Sequence, residues 1–296
     1  MNKDFKGTGV AVVTPFHKQR NVDFTALGSI IEHIIKNGVD YIVCLGTTAE
    51  SVTLTEQEAM AVIDYTIDAV NSRVPIVVGM GGNNTSHIVD KISKTDFTGI
   101  SAILSVAPYY NKPSQKGIYE HYKAIAEVCP IPIILYNVPG RTASNISAET
   151  CLQLAHEFPN IVGIKEASGN FAQCMEIILK KPKNFNVISG EDALLLPLMS
   201  IGLTGVISVV ANALPKQMST MVNHCLKGDF KKAREIHYKI LPFANAVFEE
   251  GNPAGIKAAL EIMELSQNHL RLPLTKIGKP LYTRIENIIK EIIDKK

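Results

Sequence analysis

Apolar positions recur along this chain in two alternating patterns. Short apolar runs rich in β-branched residues stand at 9–15 (GVAVVTP), 40–46 (DYIVCLG), 75–81, 101–108, 131–139, 161–167, 186–191 and 205–211. None shows the strict alternation of a half-exposed strand, so they predict parallel strands buried on both faces. The longer stretches between them have helical spacing. FTALGSIIEHIIKNG follows Asp23 as N-cap and stops at Gly38. TEQEAMAVIDYTIDAVNS places Thr55 three residues before Glu58, the spacing of a capping box, and SAETCLQLAHEF repeats it with Ser147 and Thr150.

Eight strand–helix units, about 25 to 30 residues apart, predict an α/β fold of the (β/α)8 TIM-barrel class. A doubly wound open sheet is the competing arrangement, and near-equal units without a long interruption favour closure. After residue 211 only helical patterns remain, at roughly 213–226, 229–249, 254–265 and 280–294. One of these completes the barrel. The expected organisation is therefore a catalytic barrel over residues 1–226 and a C-terminal helical domain over 227–296. No Gly/Ser linker separates them, so the helical part should pack on the barrel.

Composition narrows the function classes. With 46% apolar and 20% charged residues in 296, a large core can be buried. The net charge of +2 and the scatter of Lys and Arg give no basis for a nucleic-acid partner. No apolar run approaches the ~18 residues of a membrane span, and the N-terminal stretch has no leader-like apolar region. Five cysteines without CxxC spacing are expected to be reduced thiols, which fits a cytoplasmic protein. No HExxH or Cys/His cluster predicts a metal. GMGGNN (79–84) lacks the third glycine of a dinucleotide fingerprint, and neither GxxxxGK[ST] nor GxSxG occurs. No cofactor is expected.

In a barrel, chemistry gathers at the C-terminal ends of the strands. The sixth run ends in Lys165. Burial there lowers an ammonium pKa, and a neutral amine can attack a ketone; pairing with Glu166, or reaching to solvent, is the alternative. The fifth run ends in Tyr136, either a proton relay or a core tyrosine with a bonded hydroxyl. Arg141, five residues on, can clamp a carboxylate or make a surface ion pair. GTTAES (46–51) offers N–H and hydroxyl donors to one anion-sized spot, or merely caps a helix. The tyrosines of PYYNKP (108–113) pack at an interface or lend a hydroxyl to a site. Together these residues describe an amine nucleophile, a relay and carboxylate holders suited to a 2-oxo acid such as pyruvate.

The set GTTAES, PYYNKP, YNVPGRT, GIKEASG, SGED and GVISVVAN, with NPAGIK (252–257) and LRLPL (270–274), resembles the dihydrodipicolinate synthase family of the pyruvate-dependent class I aldolase and N-acetylneuraminate lyase superfamily. The resemblance spans nearly the whole chain. It implies condensation of pyruvate with aspartate 4-semialdehyde in lysine (diaminopimelate) biosynthesis, without a cofactor, through an imine on Lys165. It also implies a relay of Tyr136, Thr47 and Tyr110, with Tyr110 arriving from a neighbouring subunit of a homotetramer built as a dimer of dimers. Thr48 would bind the pyruvate carboxylate and Arg141 that of the semialdehyde or of the product. Gly190 and Ile207 would line the pyruvate pocket through their carbonyls. N-acetylneuraminate lyases usually carry Ser-Thr where this chain has Thr47-Thr48 and lack the arginine of YNVPxRT; both differences favour the synthase, and a 2-keto-3-deoxy sugar acid aldolase is disfavoured on the same grounds. A catalytically silent barrel that binds a 2-oxo acid is the alternative of another class.

Two departures stand out. Ala49 replaces the glycine of GTTGES, which a negative φ would tolerate. Where lysine-inhibited members carry a histidine after GTTGES and a glutamate after the G-x-N turn, this chain has Glu56 and His87, although Asn83 and Tyr109 fit. A cationic inhibitor needs a well-placed anion, so weak or absent lysine inhibition is expected.

Overall fold

The computed structural model describes residues 5–294. Among them, eight strands run in parallel: β1 (Gly7–Ala11), β2 (Tyr41–Cys44), β3 (Ile76–Gly79), β4 (Ala102–Val106), β5 (Ile133–Asn137), β6 (Ile161–Glu166), β7 (Asn186–Ser189) and β8 (Gly205–Ser208). They pair in chain order and β8 returns to β1, which closes a barrel and excludes the open sheet. Each overlaps an apolar run. β1 begins two residues before its run and ends inside it; beyond Ala11 the Val12 N–H still donates to the Val43 carbonyl at 3.0 Å, and the Val13 N–H donates to the Asn212 side chain at 3.2 Å.

The outer helices form where their end signals stand. Asp23 accepts from the Ala26 N–H at 2.9 Å and starts helix Phe24–Lys36. Thr55 and Glu58 make both halves of a capping box, at 3.2 and 3.0 Å. The third cap differs. Ser147 accepts from the Thr150 N–H, but threonine at that position cannot return the bond, and Gln115 Oε1 accepts the Ser147 N–H instead at 3.1 Å. Helix Pro215–Leu226 packs on β1. Helices Phe230–Glu249, Ala254–Ile262 and Lys279–Asp294 pack on one another and back against the barrel.

Alternation along the strands separates two apolar layers. One lies between barrel and helices and includes Val10, Ile42, Val78, Ile103, Leu135, Ile164 and Val206. The other fills the barrel and includes Ala11, Val43, Val77, Leu104, Ile134, Ile188 and Ile207. On β6 the alternation is broken. Ile133 pairs with Ile161 but Ile134 pairs with Gly163, so Val162 is an extra residue. Val162 faces the interior, Ile164 then faces the helices, and Lys165 faces inward with its Cα paired to that of Tyr136. Without that bulge, the parity set by Val162 would turn Lys165 outward.

Among the described residues, no helix is long and apolar enough to cross a membrane, and no group of three or more His, Cys, Asp or Glu could hold a metal ion.

Candidate active site

Lys165 is 6% exposed at the mouth of the barrel, with Nζ 4.4 Å from the centre of the Tyr136 ring. Among the described residues it makes no ion pair. Glu166 is not its partner, because strand alternation sends Glu166 to the opposite face. There Glu166 accepts from Asn137 Nδ2 at 3.0 Å, Gln173 Nε2 at 2.8 Å and the Ser168 N–H at 2.8 Å. These bonds satisfy a buried carboxylate with neutral donors and leave the lysine amine free. The Tyr136 hydroxyl takes no partner among the described residues, so it is not held as a core tyrosine would be.

Above them opens a cavity of ≈ 360 Å³, lined among others by Thr47, Thr48, Tyr136, Arg141, Lys165 and Gly190. The turn after β2 forms a 3-10 helix, Thr47–Ala49, which no side chain caps. Ala49 is not among the residues with positive φ, so a Cβ is accommodated there. The strained position is the next one: Glu50 is left-handed, at φ 53° and ψ 33°. Its carboxylate is buried and ion-paired with Lys257, whose Nζ also donates to the His269 carbonyl at 2.9 Å and lies 4.1 Å from the Phe16 ring centre. The Arg271 N–H donates to the other Glu50 oxygen at 3.0 Å. The Arg271 guanidinium reaches the Thr53 carbonyl and Glu58, each at 2.7 Å. Bidentate pairing with Arg271 holds the Glu58 carboxyl down at about 2. Burial lowers the Lys257 pKa and Glu50 opposes that shift. The C-terminal helical part thus grips the turn that presents Thr47 and Thr48.

Arg141 stands on the short helix Pro139–Thr142 after β5, exposed at the cavity rim and outside every ion pair among the described residues, so it is not tied up in a surface salt bridge. Gly190 lies beside the lysine stem. A Cβ there would sit 2.5 Å from Ala167 Cβ and 3.0 Å from Lys165 Cε. Gly190→Ala is therefore expected to displace the amine and lower kcat by roughly 100-fold, since misplacement by about 1 Å costs that much. Steady-state kinetics check this, and a loss under threefold would refute it. Glu191 and Asp192 follow; burial raises the pKa of both. Asp192 accepts from the Val209 and Val210 N–H groups at 2.9 and 3.1 Å and so fixes the turn after β8.

Two of the expected residues stand apart. Ile207 is fully buried in the barrel interior, and it is Val209, in the turn after β8, that meets the cavity. Tyr110 is 88% exposed at φ 69° and does not line the cavity of its own chain. Site residues not singled out from the strand ends are Asn252, Glu191 and Phe248, which also line the cavity. Asn252 belongs to NPAGIK, so the only sequence signal for it was the motif. The five cysteines are buried free thiols, and burial raises Cys44 and Cys174 to about 12, so neither rivals Lys165 as nucleophile.

A sequence model of the dihydrodipicolinate synthetase family matches residues 4–292. A protein of Parabacteroides distasonis named 4-hydroxy-tetrahydrodipicolinate synthase is 50% identical over 98% of this chain and 97% of its own length. One of the same name from Flavobacterium psychrophilum is 49% identical, over 97% and 98%. A crystal structure of dihydrodipicolinate synthase from Acinetobacter baumannii complexed with pyruvate is similar at a TM-score of 0.94 and 40% identity, over 97% of this chain and 98% of that one.

Proposed function

This chain belongs to the dihydrodipicolinate synthetase family, and we propose that it condenses pyruvate with L-aspartate 4-semialdehyde to 4-hydroxy-tetrahydrodipicolinate, the lysine-pathway reaction for which its relatives are named. The observation that carries this is Lys165 itself: an inward amine without a counter-ion, stacked over Tyr136, in a cavity that also presents unpaired Thr48 and Arg141 donors.

The residues divide the work as follows. Lys165 Nζ adds to C2 of pyruvate, whose carboxylate accepts from the Thr48 hydroxyl. Tyr136, with Thr47, moves one proton from nitrogen to the carbinolamine oxygen and donates a second, so that the oxygen leaves as water; the relay regains that proton from the pyruvyl methyl in the step that follows. The resulting iminium acidifies the adjacent methyl. Loss of a methyl proton gives an enamine that adds to the aldehyde carbon, while the aldehyde oxygen takes up a proton. The semialdehyde amine then displaces Lys165 from C2, closing the ring. Arg141 holds the carboxylate of the second substrate through two parallel hydrogen bonds. Imine formation supplies its own electron sink, so no resident cofactor is required. Tyr110 completes the relay from a second copy of the chain; its exposure, with that of Val52 and Met60, supports an assembly built on this face, up to a dimer of dimers.

Borohydride reduction in the presence of pyruvate, followed by peptide mass analysis, tests the proposal. A reduced pyruvyl adduct on Lys165 is expected. No adduct, or one on Lys257, would sink it. Side-by-side turnover of aspartate semialdehyde and N-acetylneuraminate separates the synthase from the lyase.

Free lysine should inhibit weakly or not at all. Asn83, His87 and Tyr109 line a hollow of ≈ 260 Å³ that contains no carboxylate but does contain Lys91. An ammonium ligand meets like charge there and no anion. Half-inhibition of initial rates well below millimolar lysine would contradict this.

A further inference from the structure

We propose that Asn252, on the connector between helices Phe230–Glu249 and Ala254–Ile262, is a positioning residue that fixes the direction in which Thr48 donates its hydroxyl proton. This rests on the function proposed above. Asn252 is buried, and its Nδ2 donates to Thr48 Oγ1 at 3.0 Å across 204 residues of chain. A hydroxyl has one proton and two lone pairs. With an amide N–H on a lone pair, the Thr48 proton must point elsewhere. Among the described residues it meets no acceptor, while Thr48 and Asn252 both line the cavity that holds Lys165. A carboxylate bound there is the acceptor that completes the set.

The amide orientation follows from satisfaction. As placed, Asn252 leaves Oδ1 and the second Nδ2 proton without a partner among the described residues. The reverse orientation would accept the Thr48 proton, removing the donor from the site, and would leave two amide N–H groups buried and unpaired. The reversal exchanges an unpartnered carbonyl oxygen, which buried sites tolerate more often, for a second orphaned donor, which they rarely tolerate. The sequence separation has a consequence: the turn after β2 supplies the hydroxyl, but the C-terminal part decides its polarity.

The test is a double-mutant cycle of Asn252→Ala, Thr48→Val and the combined variant. The measured quantity is the pyruvate concentration that half-saturates borohydride labelling of Lys165, read by intact mass. Each single substitution should raise that concentration roughly tenfold, the worth of one oriented donor to a carboxylate. The combined variant should stay within about twofold of the worse single, because Asn252 acts only through Thr48. The KM for pyruvate should rise with kcat nearly unchanged, as a general loss of fold would not produce. Multiplicative effects in the combined variant, or an Asn252→Ala protein within twofold of wild type, would overturn the role. If Asn252→Ala does not fold, near-isosteric Asn252→Asp takes its place; it accepts the Thr48 proton and should raise the half-saturating concentration at least as much. Unlabelled wild type would overturn the functional reading itself. Labelled wild type with unaffected Asn252 variants would overturn the positioning role alone.

Discussion

Lys165→Ala should abolish turnover, with kcat down by roughly 10³- to 10⁶-fold, the range expected when a covalent nucleophile is removed. Borohydride trapping of pyruvate should vanish with it. Lys165→Arg should be equally inactive, because a guanidinium stays protonated and cannot attack a carbonyl. Neither change should unfold the protein. The lysine makes no ion pair among the described residues, so no charge there is left unpartnered when it goes. No other lysine can take over. Lys257, the other deeply buried one, is fully enclosed between Glu50 and the His269 carbonyl. Residual turnover within tenfold of wild type would mean that the imine forms elsewhere or not at all.

Lys257→Met should have the largest effect on stability. The side chain fits the same space, but Glu50 would remain fully buried with the Arg271 N–H as the sole remaining partner of its carboxylate among the described residues. Breaking a buried pair from one side costs about 3–5 kcal/mol, which lowers the Tm of a domain of this size by roughly 10 °C. Combining Lys257→Met with Glu50→Gln removes the orphaned charge and should restore most of the loss, since a buried pair contributes little net stability over neutral isosteres. Thermal unfolding of the single and combined variants checks both halves. A single variant within 2 °C of wild type would show that Glu50 finds other partners. A combined variant no better than the single would show that the lysine matters through packing.

These effects arise from residues that carry very different amounts of information locally. Capping boxes are read within four residues, and the apolar runs within seven or eight. Asp23, Thr55 and the eight strands were accordingly visible in order and nearly in extent. Lys165, Tyr136, Thr48 and Arg141 were visible because a barrel places every strand end on one rim. Asn252 offered no such signal. It follows a helix, and its role depends on a contact with a residue 204 positions earlier. The Ser147 cap shows the same limit on a smaller scale, since its missing return bond comes from Gln115 on another helix.

The sequence alone determined the class of fold and the end of the barrel where chemistry gathers, because hydrophobic period and terminal caps are local properties. It also determined that a lysine, a tyrosine, threonines and an arginine would meet there. Only the tertiary structure decided which way they face. The extra residue Val162 in β6 turns Lys165 inward beside Tyr136 and sends Glu166 out to amide partners. A one-residue shift in register reverses every side chain that follows it, and composition and periodicity do not record the shift. The clamp of Lys257, Arg271 and Asn252 on the 46–50 turn was likewise decided by folding, because pairing across more than two hundred residues depends on where the closed barrel brings the chain back.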